Sequence, residues 1–179
     1  QPWAIVDGVQ TPVSWDAAVD AAVEPLRALK PSESMVLGSA KASNEDNYLL
    51  ARFATEVLKT PNVDMIKHVD HEFGDDFLAT NETAPNAIGA HEMGIKPGTH
   101  GHKVNELAER ISKKEIKAVI LLADSAADHS PELQQALDTV EHLVAISAYQ
   151  NATSQRAHAL LALATWAESE GTFTNTKHR

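Results

Sequence analysis

The order of apolar runs and amphipathic stretches predicts an α/β fold: a mostly parallel sheet covered by helices on both faces. Three observations carry this. Apolar runs at 34–40, 117–123, 142–147 and 159–165 have the length and continuity of strands buried on both faces. Stretches of helical periodicity separate them. Capping residues open those stretches: Ser14, then Ser43 or Asn44, then Ser130 ahead of Pro131 and Glu132. Strands alternating with helices imply parallel pairing, because a parallel neighbour is reached only by a crossover.

Residues 3–10, WAIVDGVQ, read as a short hairpin turned at Asp7-Gly8. Ser14 caps a helix over WDAAVDAAVEPLRAL, in which Ala18, Ala22 and Leu26, with Val19 and Val23, recur at helical spacing. Pro25 inside that pattern predicts a kink or a break. SMVLGSA (34–40) is the next strand, and NEDNYLLARFATEVLKT (44–60) the next helix, with Leu49, Leu50, Phe53, Val57 and Leu58 expected inward. Residues 61–102 are irregular, and a loop of that length in a compact domain is usually functional. Val104, Leu107, Ala108 and Ile111 follow one helical face. KAVILLA (117–123) is a buried strand, 131–140 a helix, HLVAIS (142–147) a strand, 151–158 one or two helical turns, and ALLALAT (159–165) a last apolar run. In such sheets ligands bind at the carboxyl ends of strands, here residues 38–44, 124–130, 147–151 and 165–175.

The chain of 179 residues is long enough for one compact domain. Its net charge of -10 argues against nucleic acid or an anionic membrane as a partner, since both need a positive surface. No run is long enough to span a bilayer. With 0 cysteines, disulfides, cysteine-ligated iron–sulfur clusters and thiol catalysis are excluded from these residues. The chain starts at Gln1 rather than Met, so a longer polypeptide is expected.

Three loops offer sites. GSAKASNEDNY (38–48) joins a strand to a helix N-terminus, where free N–H groups and Lys41 suit a phosphate; an ordinary capped helix reads the same way. In ADSAADHSP (123–131), Asp124 can accept from a sugar hydroxyl or a guanine edge, and Ser125 and Ser130 can donate; a polar turn is the plainer reading. EGTFTNT (170–176) is a short loop rich in donors and acceptors. His68 and His71, with His100, His102, Asp64, Asp70, Glu72, Asp75 and Asp76, allow a zinc-type site, although solvated loop histidines explain them better. His91, His129, His142, His158 and His178 read as surface or loop positions. No Ser–His–Asp order and no G-x-S-x-G elbow occurs.

Four blocks resemble molybdopterin oxidoreductases, in the family's order. They are VSWDAAVDAAVEPL (13–26), MVLGSAKASNEDNYLLARFATEVLKTPNVD (35–64), AIGAHEMGIKPG (87–98), and 142–177 through WAESEGTFTNT. The nearest members by this resemblance are formate dehydrogenase large subunits and the large iron–sulfur subunit of NADH–quinone oxidoreductase. The resemblance implies Rossmann-like α/β units that hold a bis-pterin guanine dinucleotide in active enzymes. It implies that Ser39, Lys41, Asn44, Glu45, Asn47, Asp124, Ser125, Gly171, Thr172, Thr174 and Asn175 line a dinucleotide-type cleft. The chain departs from the pattern at Ser147, where the family has Asp, at Leu161-Ala162 and at His158. It is far shorter between 65 and 86, and it has no Cys for molybdenum.

These departures lead to the expectation of a degenerate scaffold domain that packs against other subunits of a redox complex and is not catalytic alone. It would hold no cofactor of its own, with iron–sulfur clusters in flanking sequence or partner chains. A cytoplasmic place, peripheral at a membrane complex and without insertion into the bilayer, is implied by the same resemblance. The alternatives are a module that still binds molybdopterin guanine dinucleotide or another nucleotide, and a metal-binding domain using His68 and His71.

Overall fold

A computed structural model describes residues 1–75 and 80–178. The chain opens with β1 (Trp3–Val6) and β2 (Val9–Pro12), an antiparallel hairpin. Asp7 and Gly8 turn it at φ values of 51° and 79°, the left-handed pair that a two-residue hairpin loop requires. Helix α1 (Trp15–Val23) starts under a hydrogen bond from the Ala17 N–H to the Ser14 hydroxyl. It gives way to a 3₁₀ segment, Glu24–Ala28, at Pro25.

Strand β3 (Ser34–Gly38) leads into α2 (Asn44–Arg52), which widens into a π-helical turn, Phe53–Leu58. Next along the chain are β4 (Val63–Met65), α3 (Ala87–Glu92) and α4 (Leu107–Ser112). Then come β5 (Ala118–Leu122), α5 (Pro131–Leu137), β6 (His142–Ser147) and β7 (Ala159–Ala162).

The seven strands form one sheet in the order β2-β1-β7-β6-β5-β3-β4. β3 to β7 are parallel, and β1 closes the β7 edge antiparallel. Successive residues of β5 feed opposite faces. Val119 and Leu121 pack with α4 and α5, and Ile120 and Leu122 with α1 and α2. β3 hands the chain outward to β4 and β5 hands it the other way to β6, so the switch point of the sheet lies between β3 and β5.

Three expectations change. Leu49 and Val57 are 62% and 66% exposed, not inward. The buried stripe of α2 is Asn47, Leu50, Ala51 and Ala54, spaced i, i+3, i+4, i+7, and the π turn rephases the residues beyond it. Residues 61–102 contain β4 and α3. His142 is a buried strand residue, and the rings of His142 and His158 lie 5.7 Å apart. No helix among the described residues is long and apolar enough to cross a membrane.

Candidate functional site

A cleft of about 990 Å³ opens at the carboxyl ends of the parallel strands. Its walls come from the segments after β3 (Lys41, Ala42, Ser43), β5 (Ala123, Asp124, Ser125), β6 (Ser147, Ala148, Tyr149) and β7 (Leu163, Ala164, Thr165). Trp166, Gly171 and Phe173 contribute from the last segment. This is the position the sheet topology assigns to a ligand.

Asp124 stands at the centre, with its side chain 2% exposed. Ala123, at φ 47°, turns the backbone so that Asp124 enters the cleft wall. Asp124 Oδ1 accepts from Lys41 Nζ at 3.0 Å and from the Ser125 N–H at 2.8 Å. Asp124 Oδ2 lies 2.6 Å from His68 Nε2. Burial pushes the carboxyl upward, but the bonds from His68, Lys41 and Ser125 outweigh it and hold the group below the usual carboxylate range.

Ser39 is buried behind the cleft. Its hydroxyl donates to the Ala123 carbonyl at 3.3 Å and accepts from the Lys41 N–H at 3.0 Å, tying the β3 and β5 loops together. Asn47 is fully buried beneath the same loop. It accepts from the Ser39 N–H at 3.0 Å and donates to the carbonyls of Ser39 and Ser43, each at 2.9 Å.

The end of the chain lies across the N-terminus of α2. The Asn44 N–H donates to the Thr172 carbonyl at 2.8 Å, and Asn44 Nδ2 reaches the hydroxyls of Thr172 and Thr174, each at 3.1 Å. Glu45 accepts from the Thr172 N–H and hydroxyl, both at 2.9 Å. Those bonds, the Thr172 N–H first, hold its carboxyl low. The Thr174 N–H donates to Asn86 Oδ1 at 2.7 Å, and Asn86 in turn donates to the Ala42 carbonyl at 2.8 Å. Gly171 allows this approach, because a Cβ there would sit 2.6 Å from the Ser43 Cβ. Asn175 closes a local turn, accepting from the Lys177 N–H at 2.9 Å.

The structure therefore divides the residues the sequence pointed to. Lys41, Asp124, Ser125 and Gly171 face the cleft. Ser39 and Asn47 support it from behind. Asn44, Glu45, Thr172 and Thr174 join in a strap over α2. Tyr149, Asn151, Trp166 and Phe173 also line the cleft; their sequence signal is a position after a strand, with the WAESEGTFTNT block besides for Trp166 and Phe173. His68 belongs to the Asp124 cluster. Among the described residues no group of three or more His, Cys, Asp or Glu is placed to hold a metal, and Asp76 lies outside those residues.

The model of the molybdopterin oxidoreductases matches residues 62–179, well over half of the chain. The chain belongs to the molybdopterin oxidoreductase family. The blocks at 13–26 and 35–61 precede the matched range, so the β3–α2 loop rests on its own residue pattern. This molybdopterin oxidoreductase domain is 31% identical over 105 residues to formate dehydrogenase H of Escherichia coli, covering 56% of the chain and 13% of that protein. Over 96 residues it is 30% identical to the F420-dependent formate dehydrogenase 2 subunit alpha of Methanococcus maripaludis, covering 54% of the chain and 12% of that subunit. A second alpha subunit from the same organism, that of F420-dependent formate dehydrogenase 1, is 37% identical over 65 residues, or 36% of the chain and 10% of the subunit. The domain thus spans about an eighth of the first two relatives.

The family implies a pterin guanine dinucleotide, whose phosphates need exposed N–H groups or cations and whose guanine needs an open carboxylate. Here two of the first α2 N–H groups bond within the chain, Asn44 to the Thr172 carbonyl at 2.8 Å and Asp46 to the Ser43 hydroxyl at 3.1 Å. Lys41 and both Asp124 oxygens are likewise engaged. In this arrangement these residues do not fit the dinucleotide.

Proposed function

We propose that this molybdopterin oxidoreductase domain works as a scaffold in an electron-transfer assembly of the NADH–quinone oxidoreductase or formate dehydrogenase type. Its relatives include subunits of F420-dependent formate dehydrogenases. One observation carries the reading: the groups that would receive a dinucleotide already bond to one another, through the 172–174 strap and the Lys41–Asp124–His68 cluster. Opening such a site breaks several satisfied bonds before any ligand bond forms. The domain would then serve by its surface, beside redox subunits that carry the electrons, in a cytoplasmic assembly peripheral to the membrane.

A second reading is supported by the cleft itself. A volume of about 990 Å³ at the switch point is large enough for a nucleotide-sized ligand. One experiment separates the two. The protein is purified from a molybdenum-replete host that makes the pterin cofactor, and is weighed intact under native conditions, with metal analysis on the same sample. GDP is then titrated while tryptophan emission, to which Trp166 in the cleft wall contributes, is followed. The scaffold reading expects the bare chain mass, no molybdenum and no response to GDP at about 1 mM, a concentration that reveals even weak sites. A pterin dinucleotide near one per chain, or saturable quenching by GDP, overturns it.

A further inference from the structure

We propose that the groove between α1 and α2 docks an amphipathic helix with basic flanks, supplied by a partner chain. This rests on the scaffold reading and names the surface that would do the scaffolding.

The two faces of the sheet are finished differently. α4 and α5 bury the face that carries Leu121 and Leu143. On the opposite face α1 and α2 leave an apolar groove of about 330 Å³ between them. Ile146, Leu161 and Leu163 form its floor and are only partly buried, although they belong to the central strands or come directly after one. Val23 stands on one wall, and Leu49 and Phe53 on the other. Leu49 is 62% exposed, and Val19, one turn before Val23, is 42% exposed. An apolar stripe on both walls and the floor is what a helix seeks when it packs between two others.

Charge selects the occupant. Asp46 lines the groove from α2. On α1, Asp16 and Asp20 lie three residues before Val19 and Val23, on the same side of the helix. None of these carboxylates pairs with a cation among the described residues. The arginines of these segments are taken, Arg27 by Glu24 at 3.0 Å and Arg52 by Glu56 at 2.7 Å. An apolar floor with Asp46 on one wall, and Asp16 and Asp20 on the outer side of the helix that forms the other, complements a helix with an apolar stripe flanked by Lys or Arg. The groove also meets the cleft, since Asp46 and Leu163 line both.

The test uses two synthetic helical peptides of about 15 residues with the same leucine stripe, one flanked by lysines and one by glutamates. Each is titrated into the isotope-labelled chain. The lysine peptide is expected to shift the amides of α1, α2 and residues 161–163. It should bind about tenfold more tightly than the glutamate peptide at low salt, with the ratio shrinking as salt rises. Leu49→Asp, at an exposed position, is expected to abolish binding. Asp16→Asn with Asp20→Asn is expected to lower the ratio several-fold without loss of fold.

Equal affinities, or shifts mapping outside the groove, overturn the proposal. So does a dimer at micromolar concentration that Leu49→Asp dissociates, because a second copy would then be the occupant. The cofactor experiment is read separately. Failed peptides with an empty cleft remove the groove and leave the scaffold, whereas a bound pterin removes the scaffold whatever the peptides do.

Discussion

Asn47 shows how one side chain can shape a site it does not touch. It bridges the Ser39 N–H to the carbonyls of Ser39 and Ser43 from beneath, in full burial. Asn47→Ala strands those backbone groups away from water. It is expected to cost about 3 kcal/mol, read as a lower urea midpoint with an unchanged slope. The His142–His158 pair makes a prediction of a different kind. His142 Nε2 meets the Ala22 carbonyl at 3.0 Å, and His158 Nδ1 accepts from the Leu143 N–H at 3.0 Å. Burial holds both imidazoles below their ordinary value. The unfolded chain takes up these protons near pH 6.5 while the folded chain resists them. Stability is therefore full above about pH 6.5 and declines below it. His158→Asn can keep the acceptor but cannot ionise, so its urea midpoint should fall less between about pH 7 and pH 5. Equal slopes in the two proteins would refute the assignment. A site built of such residues is only partly legible in sequence. Asp124 and Lys41 announce themselves as charged residues at strand ends. The bond from His68, 56 positions away from Asp124, has no local signal.

Among the elements, the central strands are readable because burial on both faces leaves a continuous apolar run that no solvent-facing strand can carry. β4 and α3 are not, since three and six residues give too little periodicity to count, whereas α4, also of six residues, is extended by the 3₁₀ turn Val104–Glu106 before it. Residue size also misleads along α2. The bulky Leu49 and Val57 suggest a core that small Ala51, Ala54 and polar Asn47 supply instead. The strap over α2 is the largest gap, because Thr172 and Asn44 meet across 128 positions. It carries its own prediction. Gly171→Ala places a methyl against Ser43 and should loosen the strap without unfolding the sheet. Hydrogen exchange at residues 44–46 is expected to quicken about tenfold, while the global urea midpoint stays put. Unchanged exchange would mean that the strap does not protect the helix end.

The whole molecule depends on an edge closed from far away. β1 covers β7, and the Gln10 side chain reaches the Gln155 carbonyl at 2.8 Å, across 145 positions. Deleting residues 1–12 should bare the β7 edge and raise light scattering at micromolar concentration above that of the undeleted protein. A truncated protein that scattered no more would show that other segments guard the edge. The same closure sets an order of events during synthesis. At roughly 5–20 residues per second, the hairpin leaves the ribosome about 7–30 s before its partner strand exists. Val6 and Val9, still 45% and 64% exposed in the finished fold, have no sheet to join in that interval. β7 is thus the strand that β1 must wait for, and until residues 159–162 are made one edge of the hairpin stays unpaired.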